Sequence, residues 1–371
     1  MATVNRDDVV QVLKRIAAPD GRGNLVSAGL VSDIAIEGGT VMFALTADPA
    51  HMQSMEQLRA AVDKAVRGVP GVTKTLISLT AERQPQRGSA SKPAAAAPAR
   101  GQAVPGVKHI VAVASGKGGV GKSTTAVNLA LALHSLGLKV AVLDADVYGP
   151  SMPKLFGLTG KPRVADAEGK IMLPMSRYGV EVMSIGFLVP EETPMIWRGP
   201  MVMSAITQLL RDVAWGETDI MIVDMPPGTG DAQLTLAQQT PLSGAVIVST
   251  PQDLALIDAR KGLNMFRKVN VPVLGIVENM SYFVCDQCGA RHEIFGHGGA
   301  RAEAARLEVP FLGEVPLDKE LRLRSDRGEP VVATLPDSLH TALYRDIARQ
   351  VWAAVESGAG LRPAPRIVVE S

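Results

Sequence analysis

The octapeptide Gly116-Lys117-Gly118-Gly119-Val120-Gly121-Lys122-Ser123 constrains this chain more than any other stretch. It fits the pattern G-x-x-x-x-G-K-[ST] and carries a second lysine, Lys117, near its start. Residues 109–114 (HIVAVA) predict a buried strand leading in, and residues 124–136 predict a helix leading out. A glycine-rich turn between such elements lets successive N–H groups point at phosphate oxygens, and the helix N-terminus adds its partial positive charge. The expected ligand is ATP with Mg²⁺. Gly116 through Thr124 form the cradle, Lys122 reaches the β- and γ-phosphates, and the Ser123 hydroxyl ligates the metal.

A length of 371 residues favours two domains. Hydrophobic residues make up 46% but aromatics only 4%, so the apolar mass is mainly Ala, Val, Leu and Met, as suits helices on a parallel sheet. A net charge of +1 argues against a nucleic-acid surface. The N-terminus has no charged region followed by an apolar core, and no apolar run reaches the roughly 18–20 residues that span a bilayer. A soluble, cytoplasmic protein with neither nucleic acid nor membrane as partner is expected.

Residues 84–106 are rich in Pro, Ala, Gly and Ser, without an acidic or aromatic residue. They read as a flexible linker spanning about 25 Å. Residues 1–83 before it predict a small α/β domain of order α-β-β-α-β. Its helices fall at 7–17, with Val9, Val12, Leu13 and Ile16 on one face, and at 52–67. Its strands fall at 30–36 and 40–45, joined by Gly38-Gly39, and at 72–79. Residues 107–357 predict strands at 109–114, 139–143, 220–223, 244–249 and 273–277. They alternate with helices at 124–136, 204–213, 253–269 and 337–355. That rhythm is α/β: a doubly wound, mostly parallel sheet with its ligand at the carboxyl ends of the strands. Residues 358–371 read as a tail.

Two strands run into carboxylates at those ends. Strand 139–143 leads into Asp144-Ala145-Asp146, and strand 220–223 into Asp224 and then Pro226-Pro227-Gly228. Asp144 and Asp224 are candidates for the Mg²⁺ shell, Asp146 for orienting an attacking water, and the Gly228 N–H for the γ-phosphate. Met195, Met201 and Met203 are expected to pack rather than ligate.

The loop with its extra lysine resembles the deviant Walker A ATPases of the ParA and MinD types. That resemblance implies that Lys117 reaches the partner's phosphates across a nucleotide-sandwiched homodimer. It also implies that Asp144 with Asp146, and Asp224 with Gly228, belong to two switch segments. More specifically, residues 107 to about 355 resemble the Mrp/ApbC-type iron–sulfur carrier ATPases. The segments that carry this are DADVYGPS at 144–151, MPPGTGD at 225–231, VENM at 277–280 with Cys285 and Cys288, and IFGHGG at 294–299. The implied activity is ATP hydrolysis linked to iron–sulfur cluster delivery, with apo iron–sulfur proteins and a cluster donor as partners. Asn279 would then contact adenine, and Pro316 to Asp318 would close the base pocket. By the same analogy, 188–203 is a mobile region near the nucleotide. The front unit is similar to the small domain that accompanies iron–sulfur assembly factors. Its stretch 45–55 has no cysteine, which leaves it a docking role.

Both cysteines of the chain sit in Cys285-Asp286-Gln287-Cys288. Soft thiolates select Zn, Cu(I) or iron–sulfur centres. A cubane cluster takes four cysteines, and one chain supplies two. Two copies meeting on a two-fold axis supply four, so a homodimer bridging a [4Fe–4S] cluster is expected. Two alternatives stay open. One is a dithiol redox pair. The other is zinc, with His292 and His297 completing C-x2-C-x3-H-x4-H. A ParA-like positioning switch is the competing function class, and a zinc-stapled dimer with incidental hydrolysis is the third.

Overall fold

Long apolar strands alternating with helices bury a parallel sheet on both faces. The second part of the chain is built on that plan. The computed structural model describes residues 6–17, 23–28, 30–31, 35–37, 40–47, 52–72, 74–81, 103–165, 171–189 and 199–358. Most of the expected linker and tail, the Gly38-Gly39 turn and residues 190–198 with Met195 lie outside the described residues. The chain divides into two compact units, 1–96 and 97–371.

In the first unit, α1 (Arg6–Leu13), β1 (Ala35–Glu37), β2 (Thr40–Ala47), α2 (Met52–Arg67) and β3 (Lys74–Ala81) follow the expected order. β1 pairs antiparallel with β2, and β2 runs parallel to β3 from Thr40↔Lys74 to Ala47↔Ala81. Val9, Leu13, Leu25, Val41, Phe43, Leu45, Val62, Val66 and Val69 form its core. Alternate β2 residues Val41, Phe43 and Leu45 face that core, as a one-sided sheet requires. The expected strand at 30–36 is shorter. Among the described residues it is β1 plus a bridge between Val31 and Leu45.

The second unit begins before its first strand. Val104 is buried in its core, and a Cβ on Gly106 would overlap the Gly216 backbone, so the linker ends earlier than expected. The strands are β4 (Val107–Ala114), β5 (Val140–Asp144), β6 (Met175–Arg177), β7 (Val180–Ser184), β8 (Thr218–Asp224), β9 (Gly244–Ser249), β10 (Val273–Val284), β11 (Arg291–His292) and β12 (Phe311–Leu317). They make one sheet of order β11-β10-β9-β4-β8-β5-β7-β6, with β12 paired to β10. The pairings are parallel except β6–β7 and β10–β11. From β4 the chain first winds to β5, beyond β8, and later crosses to β9 on the other side. The carboxyl end of β4 is therefore the topological switch point, where such sheets open a crevice.

The expected helices appear as α3 (Lys122–Ser135), α5 (Gly199–Arg211), α7 (Asp253–Lys268) and α11 (Leu339–Glu356). Shorter helices were not foreseen: α4 (Met152–Phe156), α6 (Asp231–Gln239), α8 (Gly299–Arg306), α9 (Lys319–Arg327) and α10 (Val331–Thr334). β12 was also missed. Its Gly313, Glu314 and Pro316 interrupt the apolar run, and the sheet tolerates them because β12 pairs with β10 alone. Met203 packs against the core as expected, but Met201 on the same helix is 47% exposed and does not.

Candidate nucleotide site and cysteine hairpin

The phosphate loop follows β4 and ends at α3, whose first residue is Lys122. Gly121 takes the left-handed conformation at φ 84°, and a Cβ there would overlap the Asn279 amide. A Cβ on Gly116 would collide with the backbone of Asp258 and Ala259 on α7. At Gly118 and Gly119, by contrast, a Cβ would meet nothing within 4 Å. The loop is thus tight against the body at both ends and open along its rim, where phosphate oxygens have room. Val120 is buried, and its carbonyl accepts the Asn279 Nδ2 at 2.9 Å. Thr124 gives its carbonyl to Asn128.

Lys122 is buried and lies 2.7 Å from Asp224 Oδ1, 3.6 Å from Asp146 Oδ2 and 3.1 Å from the Ser123 Oγ. The Ser123 hydroxyl donates to Asp224 Oδ2 at 2.6 Å. The structure therefore assembles Lys122, Ser123, Asp146 and Asp224 into one cluster. Asp144 and Asp224 end neighbouring parallel strands in register, both fully buried. Burial raises both carboxyls above the usual range, and at Asp144 the neighbouring Asp224 raises it further. Burial also raises Asp146.

Asp144 is already occupied. Its Oδ1 accepts the Asp146 N–H, and its Oδ2 accepts Ser151 N, Met152 N and the Ser184 hydroxyl. It ties the 146–152 segment to the sheet and has no oxygen free of protein donors. Asp146 Oδ1, in contrast, is buried and without a hydrogen-bond partner among the described residues. Ser123 and Asp224 are hard donors at one place, a pair that fits Mg²⁺, and the Asp146 oxygen is left free for another ligand.

Two expected groups are engaged elsewhere. The Gly228 N–H donates to the Ser115 carbonyl at 3.0 Å. Lys117 is 41% exposed and pairs within its own chain with Asp258 at 3.6 Å. Asn279 does not end its strand, since β10 continues to Val284. It faces Val315 across the β10–β12 pairing, next to the buried Pro316. Asp318 caps α9 by accepting the Leu321 N–H at 2.9 Å. Ser115, Ser184 and Asp258 were missed as supporting residues. Nothing in their spacing marks them, because each is brought in by a different strand or helix.

The cysteines occupy the tip of the β10–β11 hairpin. Cys285 N donates to Ala290 O and Gly289 N to Cys285 O, both at 2.9 Å. The Gln287 and Cys288 N–H groups point at the Cys285 sulfur and, with the Cys288 side chain, hold its thiol below the usual range. Cys288 is exposed and Cys285 half-buried. The zinc set suggested by spacing is not assembled. Among the described residues, the only cluster of three or more such ligating groups is Glu278, His297 and Glu314, without either cysteine. His292 packs its ring near Phe283 instead.

Residues 106–352 match the ParA family, described as NUBPL iron-transfer P-loop NTPase, and residues 6–79 match the iron–sulfur cluster assembly protein domain. The chain belongs to the NUBPL iron-transfer P-loop NTPase family. An iron–sulfur cluster carrier protein of Aquifex aeolicus is 44% identical over 371 residues, covering 94% of this chain and 98% of the relative. The iron–sulfur cluster transfer protein NUBPL of Mus musculus is 56% identical over 250 residues, covering 67% of this chain and 78% of the relative. A nucleotide-binding protein from Archaeoglobus fulgidus, solved in complex with ADP, aligns with TM-score 0.56 and 41% identity, over 64% of this chain and 92% of that one. The cell division ATPase MinD of Pyrococcus furiosus shares the fold, with TM-score 0.50 and 23% identity over 66% of this chain and 98% of that one. This member of the NUBPL family has no helix among its described residues long and apolar enough to cross a membrane.

Proposed function

We propose that this chain is an ATP-hydrolysing iron–sulfur cluster carrier. As a homodimer it holds a labile [4Fe–4S] cluster between two Cys285/Cys288 pairs and passes it from a cluster donor to apo-proteins. The observation that carries the reading is one compact unit with two sites: an open phosphate loop ringed by buried carboxylates, and a pair of thiols at a hairpin tip, Cys288 exposed and Cys285 half-buried.

For hydrolysis, the N–H groups of the loop and of the α3 N-terminus cradle the triphosphate. Lys122, now held by Asp224 and Asp146, turns to the phosphates and offsets their charge. Ser123 and Asp224 would hold Mg²⁺, which supplies neutralisation at the β- and γ-oxygens. Asp146 orients the attacking water, and its raised pKa suits it to accept a proton. Asp144 keeps the 146–152 segment in place. Lys117 leaves Asp258 for the partner's phosphates. Asn279 and the end of β12 from Pro316 to Asp318 shape the base side of the pocket. The cargo takes thiolate ligands, and the N–H groups aimed at Cys285 favour its thiolate form. Coupling requires that ATP bind the two dimer geometries unequally.

The test is anaerobic reconstitution with iron and sulfide, comparing wild type with Cys285→Ser/Cys288→Ser. Iron, sulfide, zinc and native mass are read on each sample. About four irons per dimer, lost with the cysteines, is the expected result. Zinc at one per chain with no iron uptake would replace the carrier by a zinc-stapled dimer.

A further inference from the structure

The cysteine hairpin has little packing to hold it. β11 is two residues long, and both are exposed. Val284 beside the cysteines is exposed as well. An apolar core does not fix the position of these thiols, so a few polar contacts must.

The contacts converge on Arg291, the residue paired with Val284 across the hairpin. Its guanidinium carbon lies 3.8 Å from the centroid of the Tyr282 ring. Its Nη2 lies 3.1 Å from His297 Nδ1 and 3.8 Å from Glu314 Oε2. Glu314 stands on β12 and is also paired with Arg301 at 3.1 Å. His297 is held in turn from β10, where the Ser281 Oγ lies 3.4 Å from its Nδ1. Glu278 is fully buried on β10, and its carboxylate accepts Gly298 N, Ala300 N and the Ser281 hydroxyl. This fixes the 297–300 turn at the start of α8.

Glu278, His297 and Glu314 bring their donor atoms within 4.8 Å of one another, as a metal site would. Their valences are already used. Glu278 takes three hydrogen bonds and Glu314 two guanidinium groups, and a cation there would meet two arginines. The cluster has the chemistry of a clamp on an arginine.

We infer that Arg291, seated between Tyr282, His297 and Glu314, is a positioning residue that fixes the cysteine hairpin and so sets how firmly the cargo is held. This deepens the carrier reading and rests on it for the cargo. Among the described residues Arg291 has Tyr282, Val284, His297 and Glu314 as partners, none of them in the phosphate-loop cluster or the cysteine pair. Its effect is confined to the hairpin geometry, because a chelating pair holds its cargo well only when both sulfurs keep their spacing.

The experiment uses the full chain as Arg291→Ala, Arg291→Lys and Glu314→Gln. Three readouts are taken: loss of reconstituted iron to a chelator, amide hydrogen exchange at Cys285 and Gly289, and ATP turnover. For Arg291→Ala, iron loss and exchange at those two amides should each accelerate about fivefold, the scale of a lost cation–π and ion-pair contact at a partly exposed side chain. ATP turnover should stay at the wild-type value. Arg291→Lys should show a smaller acceleration, because it keeps a cation over Tyr282, and Glu314→Gln should reproduce the acceleration from the other side. Wild-type iron retention and amide protection in Arg291→Ala would overturn the inference. If wild-type protein takes up no iron, the carrier reading fails, while amide exchange still decides the clamp.

Discussion

A methyl group on Gly121 would have to share space with the Asn279 amide while the backbone sits at φ 84°. Left-handed backbone at a residue bearing a side chain costs about 1–3 kcal/mol where the surroundings cannot yield. Gly121→Ala should therefore lower both thermal stability and ATP affinity, and a titration with wild-type affinity would refute the argument. Glu303 supports a pH prediction. Arg306 and Arg260 hold its carboxyl down at about 2, from the ordinary 4.5. The folded value lies below the unfolded one, so this stabilisation is present at neutral pH and is lost as pH falls from 4.5 towards 2. Both guanidiniums are 40% or more exposed, which limits the effect to about 1 kcal/mol. Denaturant melts of Glu303→Gln should show that loss at pH 7 and a smaller one at pH 3. An equal loss at both would contradict it. At this scale the sequence made Lys122 and Ser123 legible, because the loop motif fixes their spacing, and Asp224, because it ends an apolar strand. It did not show that Asp144 is saturated by Ser151, Met152 and Ser184, or that Gly228 donates to Ser115. Ser184 and Ser115 are brought in from distant strands, and Ser151 and Met152 reach Asp144 only because the 146–152 segment folds back on the strand end.

β10 is the element that most changes the sequence reading. The apolar run at 273–277 marked only its first half, since Glu278, Asn279 and Ser281 break the pattern of a buried strand. The structure keeps them by giving each a partner: Glu278 at the start of α8, Asn279 at the phosphate loop and Ser281 at Glu278. One strand thus braces the nucleotide loop midway and ends at the cysteines. Asn279→Ala removes one buried hydrogen bond, worth about 1 kcal/mol. The expected result is a rise of about fivefold in the KM for ATP. Iron uptake should be unchanged, and an unaltered KM would argue that the bond does not order the loop. β12 stayed hidden for the opposite reason. Its proline and glycine interrupt the apolar run, and only its place at the sheet edge makes them compatible with a strand.

On the scale of the whole molecule, the βα rhythm was sufficient to foresee a mostly parallel sheet with its site at the carboxyl ends of the strands, whereas the switch point follows only from the observed strand order. The parallel β7 was not foreseen, nor were the antiparallel β6 and β11 additions, which are only two or three residues long. The two units have separate apolar cores, one around Val41 and Phe43, the other around the central sheet. Residues 97–371 expressed alone should therefore hydrolyse ATP as the full chain does, and loss of turnover would show that the first unit completes the site. The central claim is that Cys285 and Cys288 hold a cluster that an ATPase delivers. It is tested most directly by loading the full chain anaerobically and following transfer to an apo [4Fe–4S] acceptor, with and without Mg-ATP. Wild type should transfer its cluster at a rate that depends on ATP. Cys285→Ser/Cys288→Ser should transfer none and keep its ATP turnover. Transfer that survives loss of both cysteines would contradict the account.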